Sequence, residues 1–323
     1  MKVCVTGAAG FIGGHIAEAL LADGDEVTGL DDFSSGKREN ASLLAQNPRF
    51  SLVEGTIADS RDVEKAVAGA TWVFHLAAIP SVPVSMNEPE RTTAVNVGGT
   101  VNVLEAARNA GVQRVVLACS CAAYGDGPEQ PKHELLQPRP MSPYAAQKIA
   151  CELLAQTWTR AYGLPCVALR FFNVYGPRQD PKSEYAAAIP RFTTRLLAGQ
   201  PPIVFGDGLQ TRDFVHVSDV VRANLLAARS DQAPGEVINV ASGRSSSLID
   251  LIALLKTIIG SDALIEHEGP RAGDLRESSA NIDKARTLLG YEPRVSLEQG
   301  LKGVVDFFRG NRSAPGRPAA TAS

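Results

Sequence analysis

Short apolar segments alternate with helix-like stretches through about the first 170 residues of the chain. The apolar segments are hydrophobic at consecutive positions, which is typical of parallel strands covered by helices on both faces. They lie at Val3–Thr6, Glu26–Leu30, Phe50–Val53, Trp72–Leu76, Arg114–Ala118 and Cys166–Arg170. The helix-like stretches between them include Ile12–Ala22, Asp62–Ala68, Thr100–Ala110 and Tyr144–Ala161. This alternation predicts an α/β fold with a doubly wound parallel sheet.

The pattern changes after about residue 175, where proline and glycine cluster in several short segments. Helical patterns follow at Val217–Ala228, Leu248–Ile259 and Leu297–Phe308, with one strand-like run at Val237–Val240. We therefore predict a sheet domain over residues 1–172 and a smaller mixed α/β lobe that caps it, mainly over 173–312, although the chain could cross back. The Ala/Pro/Ser/Gly-rich segment 313–323 is predicted to be a disordered tail.

Composition excludes several classes of function. The 323 residues are 44% hydrophobic and 21% charged, and a net charge of −3 gives no reason to expect nucleic acid or an anionic membrane as a partner. No apolar run approaches the ~20 residues of a membrane span, and the first strand leads directly into Gly7 without a signal-peptide pattern. The five cysteines have no metal-ligand spacing. We expect reduced cysteines in a cytoplasmic protein without a bound metal.

A glycine-rich segment, Gly7-Ala8-Ala9-Gly10-Phe11-Ile12-Gly13, lies between the first strand and the first helix. Glycines there permit a tight turn and close approach to a pyrophosphate, and the helix N-terminus stabilises its negative charge. The next strand ends at Asp31 and Asp32. A carboxylate at that point can accept bonds from ribose hydroxyls and repels a 2′-phosphate, so a Rossmann-type site for NAD rather than NADP is predicted.

Small residues follow the fourth strand, in the run His75-Leu76-Ala77-Ala78, and would let a cofactor approach the backbone. Asn96 lies in an apolar, helix-like stretch, and a buried amide needs hydrogen-bond partners. We expect it to hold the loop that follows the fourth or fifth strand.

The sequence Ser142-Pro143-Tyr144 begins a helix, since serine caps free N–H groups and proline suits the first helical position. Tyr144 and Lys148 lie four residues apart on one helical face, and an ammonium beside a phenol should lower the pKa of the tyrosine from its usual ~10. Ser120 ends the fifth strand, at the edge where such sheets bind ligands. The three residues predict an alcohol-oxidation site in which Tyr144 takes the hydroxyl proton, Lys148 keeps the phenolate available and Ser120 holds the oxygen.

Taken together, the chain resembles an extended short-chain dehydrogenase/reductase of the nucleotide-sugar epimerase/dehydratase type, in particular the UDP-hexose and UDP-N-acetylhexosamine 4-epimerases. The matching segments cover nearly the whole chain and are Gly7–Gly13, Asp31, His75–Ala78, Asn96, Ser120, Tyr144, Lys148, Arg170–Pro177 and Arg212–Phe214. The resemblance implies NAD contacts from Gly7, Gly10, Phe11, Ile12, Gly13, Asp31, Asp32, Ser35, Gly36, Ile57, Leu76, Ala77, Ala78, Asn96, Tyr144 and Lys148. Thr56 departs from the family, which usually has an aspartate there against adenine, so NAD is expected to bind less tightly.

The resemblance also implies a UDP-sugar substrate held mainly by the C-terminal lobe. Ser120 and Tyr144 would contact the sugar, Asn173 its phosphates, Arg212 and Arg271 the diphosphate, Asp274 the ribose, and Val204 and Phe205 the uracil, with Ala187 and Ser278 completing the substrate site. It further implies a homodimer packed through Thr92–Ala110 and Tyr144–Ala161.

Positions after Ser120 separate the reactions of the family. Sugar dehydratases carry an Asp-Glu pair there and decarboxylases keep a glutamate, whereas this chain has Cys121-Ala122. Without an acid to protonate a leaving hydroxyl, reversible oxidation through a 4-keto sugar, and hence 4-epimerisation, is favoured.

The substrate is less sharply defined by the same resemblance. Arg178–Pro181 and Glu184–Pro190 resemble enzymes acting on UDP-GlcNAc and UDP-GalNAc, and Ser278 leaves volume for an N-acetyl group, with UDP-Glc and UDP-Gal as further substrates. UDP-glucuronate 4-epimerases are an alternative, but tend to have threonine in place of Asn173 and arginine in place of Asp180. A non-catalytic nucleotide-binding member of the fold is the other alternative, although such proteins usually lose Tyr144 or Lys148.

Overall fold

The computed structural model describes residues 1–181, 188–270 and 275–313. The predicted substrate residues Ala187, Arg271 and Asp274 lie outside these ranges, as does most of the predicted tail. The strands are β1 (Lys2–Thr6), β2 (Glu26–Asp31), β3 (Phe50–Glu54), β4 (Trp72–His75), β5 (Arg114–Ser120), β6 (Cys166–Phe171), β7 (Asn173–Tyr175), β8 (Ile203–Phe205), β9 (Thr211–His216), β10 (Val237–Val240), β11 (Ser245–Ser247) and β12 (Glu266–Glu268).

The helices are α1 (Phe11–Ala22), α2 (Arg38–Leu44), α3 (Ser60–Val67), α4 (Val82–Asn87), α5 (Pro89–Thr93), α6 (Gly99–Asn109), α7 (Pro143–Tyr162), α8 (Ala188–Leu197), α9 (Val217–Arg229), α10 (Leu248–Ile259), α11 (Asp283–Leu289) and α12 (Leu297–Ser313). A π-helical turn at Ala94–Gly98 joins α5 to α6, and a 3₁₀ turn at Cys121–Tyr124 follows β5. In the described part of the chain, no helix is long and apolar enough to cross a membrane.

Within the described residues, seven strands form one parallel sheet in the order β10–β6–β5–β4–β1–β2–β3. The predicted Rossmann-type doubly wound sheet is therefore confirmed. The strand order reverses between β1 and β4, which are paired in register from Val3 against Trp72 to Thr6 against His75. Ligands of such sheets bind at this switch point, beyond the carboxyl ends of the strands.

The continuous apolar character of the strands follows from their burial on both faces. Val3 and Val5 belong to one core cluster together with Ile16 and Leu20 of α1, while the intervening Cys4 belongs to the cluster on the opposite face, with α3 and α6. Each fully buried aliphatic side chain contributes roughly 1.5–3 kcal/mol. The sheet is thus stabilised from both sides, and its carboxyl edge can hold a binding site rigidly.

The chain crosses back into this sheet after entering the C-terminal lobe. Val237–Val240, which we assigned to that lobe, forms β10 and pairs in parallel with β6, and α9 packs against α1. The lobe itself contains the sheets β11–β9–β7 and β12–β8 with α8, α10 and α12 around a third apolar cluster. In one of these sheets, Asn173 of β7 lies opposite Phe214 of β9.

Candidate active site

The glycine-rich turn closes directly onto the loop after β4. Gly7 has φ +72°, and a Cβ atom there would lie 2.9 Å from the backbone nitrogen of Ala77. A Cβ at Gly13 would lie 2.1 Å from the carbonyl oxygen of Gly7. Gly10 precedes Phe11 and Ile12 as the N-cap of α1 and supplies no side-chain cap. The N-terminal end of α1 therefore meets a backbone surface without side chains, which fits a pyrophosphate.

Asp31 joins this turn to the loop after β2. Its buried carboxylate accepts hydrogen bonds from the backbone N–H of Ala9 through Oδ2 and of Phe33 through Oδ1, both at 2.9 Å. Burial raises the pKa of Asp31, and the two backbone donors oppose that rise. Gly36 packs against it, since a Cβ there would lie 2.5 Å from Asp31 Oδ1. Each carboxylate oxygen accepts one of these bonds and has a further lone pair that can accept from a ribose hydroxyl.

A groove at the carboxyl edge connects the two halves of this region. It is lined by Gly7, Leu30, Asp31, Asp32, Ser34, Ser35, Gly55, Ile57, Ala77, Ala78, Ile79 and Val95. Seven of these were predicted from sequence, whereas Leu30, Ser34, Gly55, Ile79 and Val95 were not. The added residues are apolar or small and carry no motif of their own. A carboxylate end and an apolar wall suit the adenosine part of NAD.

A buried hydrogen-bond network beneath Leu76 and Ala77 fixes their loop. His75 Nδ1 lies 2.8 Å from Thr6 Oγ1, and its Nε2 lies 3.0 Å from Thr100 Oγ1. Thr100 donates to the Asn96 carbonyl, and Thr6 Oγ1 accepts from the Ala77 N–H. Because the Thr100 hydroxyl donates elsewhere, His75 Nε2 donates to it, and Nδ1 can then accept from the Thr6 hydroxyl, as in a neutral ring. Burial, together with the charge of Lys148, lowers its pKa to about 3, in agreement with that assignment.

Asn96 ties the loop after β4 to the helix of the Tyr–Lys pair, as its position in an apolar stretch indicates. Its Oδ1 accepts from Ile79 N at 2.7 Å, and its Nδ2 donates to Ile79 O at 3.2 Å and to Gln147 Oε1 at 2.8 Å. Gln147 lies between Tyr144 and Lys148 on α7. The cofactor groove and the reaction site are therefore joined through one buried amide.

Ser120, Tyr144 and Lys148 meet at the end of β5. The Ser120 hydroxyl lies near enough to the Tyr144 phenol to lower its pKa, and it accepts a hydrogen bond from Ala122 N at 3.2 Å. Lys148 Nζ donates to the carbonyl of Ala118 at 2.8 Å and lies 6.0 Å from the centre of the Tyr144 ring. The ammonium is therefore anchored to the strand that carries Ser120.

The pKa of Tyr144 corrects one prediction. We expected Lys148 to bring it below its ordinary value, but burial raises it, and this effect outweighs both Lys148 and the nearby Ser120 hydroxyl, which lower it. Burial also opposes the charge of Lys148, but the neighbouring Tyr144 and other groups outweigh it, so its pKa is raised and it remains an ammonium. Lys148 favours the phenolate but does not by itself bring the pKa of Tyr144 below its ordinary value.

The predicted phosphate-binding residues approach this site from β7 and β9. Arg212 Nη1 donates to the carbonyls of Thr211 and Leu275, at 2.8 and 2.7 Å. Asn173 Nδ2 donates to Asp213 O at 3.2 Å. Arg212 lies close enough to Cys121 to lower its pKa, although burial dominates and raises that pKa to about 12. The guanidinium is thus near the residue that follows Ser120.

The remaining predicted substrate residues differ in how accessible they are. Val204 is 1% exposed and belongs to the apolar core of the lobe, whereas Phe205 beside it is half-buried. A contact with uracil would therefore use Phe205 or the backbone of β8. Asp180 forms an ion pair with Lys37 at 3.0 Å, and the backbone N–H of Lys37 bonds to Ala9 in the glycine turn. Because Lys37 partly neutralises Asp180, the carboxylate of Asp180 would repel a carboxylate substrate less than the sequence indicated.

Ser278 is buried and held from both sides. Its N–H donates to Thr211 O at 3.1 Å. The Gln130 amide brackets it, donating to Glu277 O at 2.9 Å and accepting from Ser279 N at 3.1 Å. Sequence reasoning missed Gln130, which lies in an irregular loop far from Ser278 along the chain.

A glycine turn at the switch point of a parallel sheet, with a Ser–Tyr–Lys set beside it, defines a nicotinamide-dependent short-chain dehydrogenase/reductase. The chain belongs to the NAD dependent epimerase/dehydratase family, whose sequence model matches residues 3–241. NAD is therefore its cofactor, and the bare backbone at Gly7 and Gly13 with the Asp31 carboxylate fits that group.

Individual relatives share the family fold but differ in substrate. A UDP-glucose 4-epimerase of Mycolicibacterium smegmatis is 42% identical over 96% of this chain and 99% of that protein. A UDP-N-acetylglucosamine 4-epimerase from Methanobrevibacter ruminantium M1, solved with UDP-N-acetylmuramic acid, is 39% identical over 96% of this chain and 98% of its own, with a TM-score of 0.92. UDP-glucuronic acid 4-epimerase from Bacillus cereus, solved with UDP-glucuronic acid and NAD, is 34% identical over 96% and 100% of the two chains, with a TM-score of 0.89.

Proposed function

We propose that this chain is an NAD-dependent 4-epimerase of a UDP-sugar. The observation that carries the proposal is the meeting of Ser120, Tyr144 and Lys148 at the carboxyl end of β5, with Cys121-Ala122 rather than acids beside them. The relatives described above, each named as a 4-epimerase, support it. A non-catalytic role is disfavoured because the reactive groups are both present and assembled.

The residues divide the work at the sugar C4 hydroxyl. Ser120 orients the hydroxyl oxygen, and Tyr144 as phenolate takes its proton while the C4 hydrogen leaves as hydride. NAD, when bound, would supply the hydride acceptor and donor for C4, with a positive charge in its oxidised form. After the 4-keto sugar has rotated, Tyr144 gives its proton back to the oxygen, which restores the C4 hydroxyl with the opposite configuration. Lys148 stabilises the phenolate throughout.

The C-terminal lobe would hold the UDP part. Arg212 is well suited to a diphosphate because a guanidinium can donate two parallel bonds to phosphate oxygens. Asn173 shares its sheet and would add an amide donor. Residues 1–172 would hold NAD, and the C-terminal lobe the nucleotide sugar.

UDP-GlcNAc and UDP-GalNAc are the substrates that we favour, with UDP-Glc and UDP-Gal as further substrates. The supporting feature is Ser278, a small residue whose N–H bonds to Thr211 and whose two neighbours, Glu277 and Ser279, bond to Gln130. UDP-glucuronate is the second candidate, since the ion pair of Asp180 with Lys37 removes part of the charge argument against it.

A homodimer is proposed through the outer faces of α6 and α7, where Leu153 is 57% exposed. Sedimentation of the full chain tests it, and a monomer would contradict it.

The five free cysteines support a reducing, cytoplasmic location.

The reaction is tested by Tyr144→Phe with an NMR product assay on UDP-GlcNAc, UDP-Glc and UDP-glucuronate. We expect 4-epimerisation to fall by about 10²–10⁴-fold while NAD stays bound, because only the proton acceptor is removed. Tyr162→Phe, at the exposed end of the same helix, is the matched control. Unchanged epimerisation in Tyr144→Phe would refute the assignment of the base.

A further inference from the structure

Ser85 is a fully buried serine of α4 that has no role in the reaction described above. Its hydroxyl donates to the carbonyl of Val82 at 2.5 Å and accepts a hydrogen bond from the backbone N–H of Tyr144 at 3.1 Å. The acceptor and the catalytic residue are 59 positions apart in the sequence. A side chain of α4 therefore bonds directly to the residue that we assign as the base.

The N-terminus of α7 shows why this bond is needed. The first N–H groups of a helix have no partner within the helix. Pro143 has no N–H, Ala145 N donates to Ser142 Oγ at 3.2 Å, and Ala146 N donates to Ser142 O at 3.1 Å. Ser142 thus satisfies the groups that its own side chain and carbonyl can reach. The N–H of Tyr144 is satisfied from outside the helix, by Ser85.

The two ends of Tyr144 therefore have different neighbours. Ser85 holds its backbone, and its phenol lies near the Ser120 hydroxyl. Lys148, one turn further along α7, is fixed separately by its bond to the carbonyl of Ala118. Removal of the Ser85 hydroxyl would leave the Lys148 anchor intact and release only the end of the helix that carries the base.

We propose that Ser85 is a positioning residue for epimerisation, whose hydroxyl holds the Tyr144 backbone so that the phenol lies against Ser120. The proposal rests on Tyr144 being the base of the proposed epimerase. A displacement of about 1 Å at a reacting group can cost about 10²-fold in rate. Ser85 should therefore act on kcat through Tyr144, with little effect on binding of the nucleotide sugar.

The test compares Ser85→Ala with Ser296→Ala in the full chain loaded with NAD. Ser296 Oγ accepts from Gln299 N at the start of α12, so its loss removes a helix cap remote from the site. We expect Ser85→Ala to lower kcat by about 10–100-fold with KM within about twofold and NAD content unchanged. The acid limb of the kcat profile should move to higher pH, because Ser120 and Lys148 then favour the phenolate less. Ser296→Ala should change neither kcat nor that limb.

Two further variants keep the outcome decisive. Ser85→Cys keeps the volume but offers a weaker acceptor, so its kcat should lie between those of the wild type and Ser85→Ala. On a Tyr144→Phe background, Ser85→Ala should lower the residual rate no further. Additive losses in that double variant, a change confined to KM, or equal kcat in Ser85→Ala and Ser296→Ala would each overturn the proposal. Tyr144→Phe with full activity would instead overturn the proposed function.

Discussion

The cofactor half of the cleft is built from backbone, whereas the substrate half is built from side chains. In the cofactor half, Gly7 closes directly on the Ala77 backbone, and the Asp31 carboxylate and Thr6 hydroxyl accept hydrogen bonds from backbone N–H groups at the ends of adjacent strands. In the substrate half, Arg212 and Gln130 reach across to carbonyls of the 275–279 segment, which is distant in sequence. Because a backbone site has little to vary, it can serve a whole family, whereas side chains can be exchanged to alter the substrate.

The largest effect should come from breaking the backbone half with Gly13→Ala. The added methyl would lie 2.1 Å from the Gly7 carbonyl oxygen, and neither backbone can move freely. Overpacking of this kind costs about 1–3 kcal/mol. We expect the purified protein to lose most of its NAD and about 100-fold or more of its activity, measured by NAD content and product formation.

Gly303→Ala in α12 is the matched control, since nothing lies within 4 Å of a Cβ there. It should keep NAD and activity, with stability equal or slightly raised. Stoichiometric NAD in purified Gly13→Ala would contradict the view that position 13 tolerates only glycine.

An intermediate effect is expected from Lys148→Met, which acts where the two halves meet. Lys148 lowers the pKa of Tyr144 against the opposing effect of burial, so its loss raises that pKa further. The phenolate is the reactive form, and a higher pKa therefore moves the acid limb of the pH–rate profile to higher pH. We expect a loss of about 10–100-fold at pH 7, since each pKa unit corresponds to tenfold, with partial recovery in alkali.

Lys302→Met is the control for this charge removal, because Lys302 is an exposed residue of α12 paired with Glu298. Its pH–rate profile should match that of the wild type. An unshifted acid limb in Lys148→Met would mean that Lys148 does not act through Tyr144.

The smallest effect is expected from Ser278→Tyr, which tests whether side chains of the substrate half select the substrate. A bulky ring on a segment held by Gln130 and Thr211 should remove volume beside the sugar. We expect kcat/KM to fall about tenfold more for UDP-GlcNAc than for UDP-Glc. A difference of this size is typical of a pocket that discriminates between substrates by a single small group. Ser278→Ala should leave the ratio unchanged, and equal losses in Ser278→Tyr would remove this residue from substrate selection.

The strands and the cofactor motif could be predicted because their causes are local. Gly7–Gly13 follows a strand and opens a helix, and Asp31 ends the next strand, so strand order alone brings them together at the switch point. Tyr144 and Lys148 share a helical face by spacing. These features depend on hydrophobic periodicity and on the conformational freedom of glycine, and both can be recognised in a single sequence.

Other features could not be predicted because they depend on long-range packing. The place of Val237–Val240 in the main sheet depends on pairing with β6, and a short apolar strand carries no mark of its partner. The bonds from Ser85 to Tyr144 and from Gln130 to the segment around Ser278 join residues far apart in the chain. In the sequence, neither a serine in a short helix nor a glutamine in a loop indicates such a role.

The sequence by itself determined the doubly wound fold, the NAD turn and the residues proposed as reacting groups, because each arises from local backbone geometry or side-chain chemistry. The tertiary structure decided how those groups behave. Burial raises the pKa of Tyr144 despite Lys148, Ser85 fixes its backbone, and Thr211 and Gln130 fix the segment around Ser278. Desolvation and long-range hydrogen bonds exist only once the chain has folded, and they set the strength of the base and the shape of the substrate pocket.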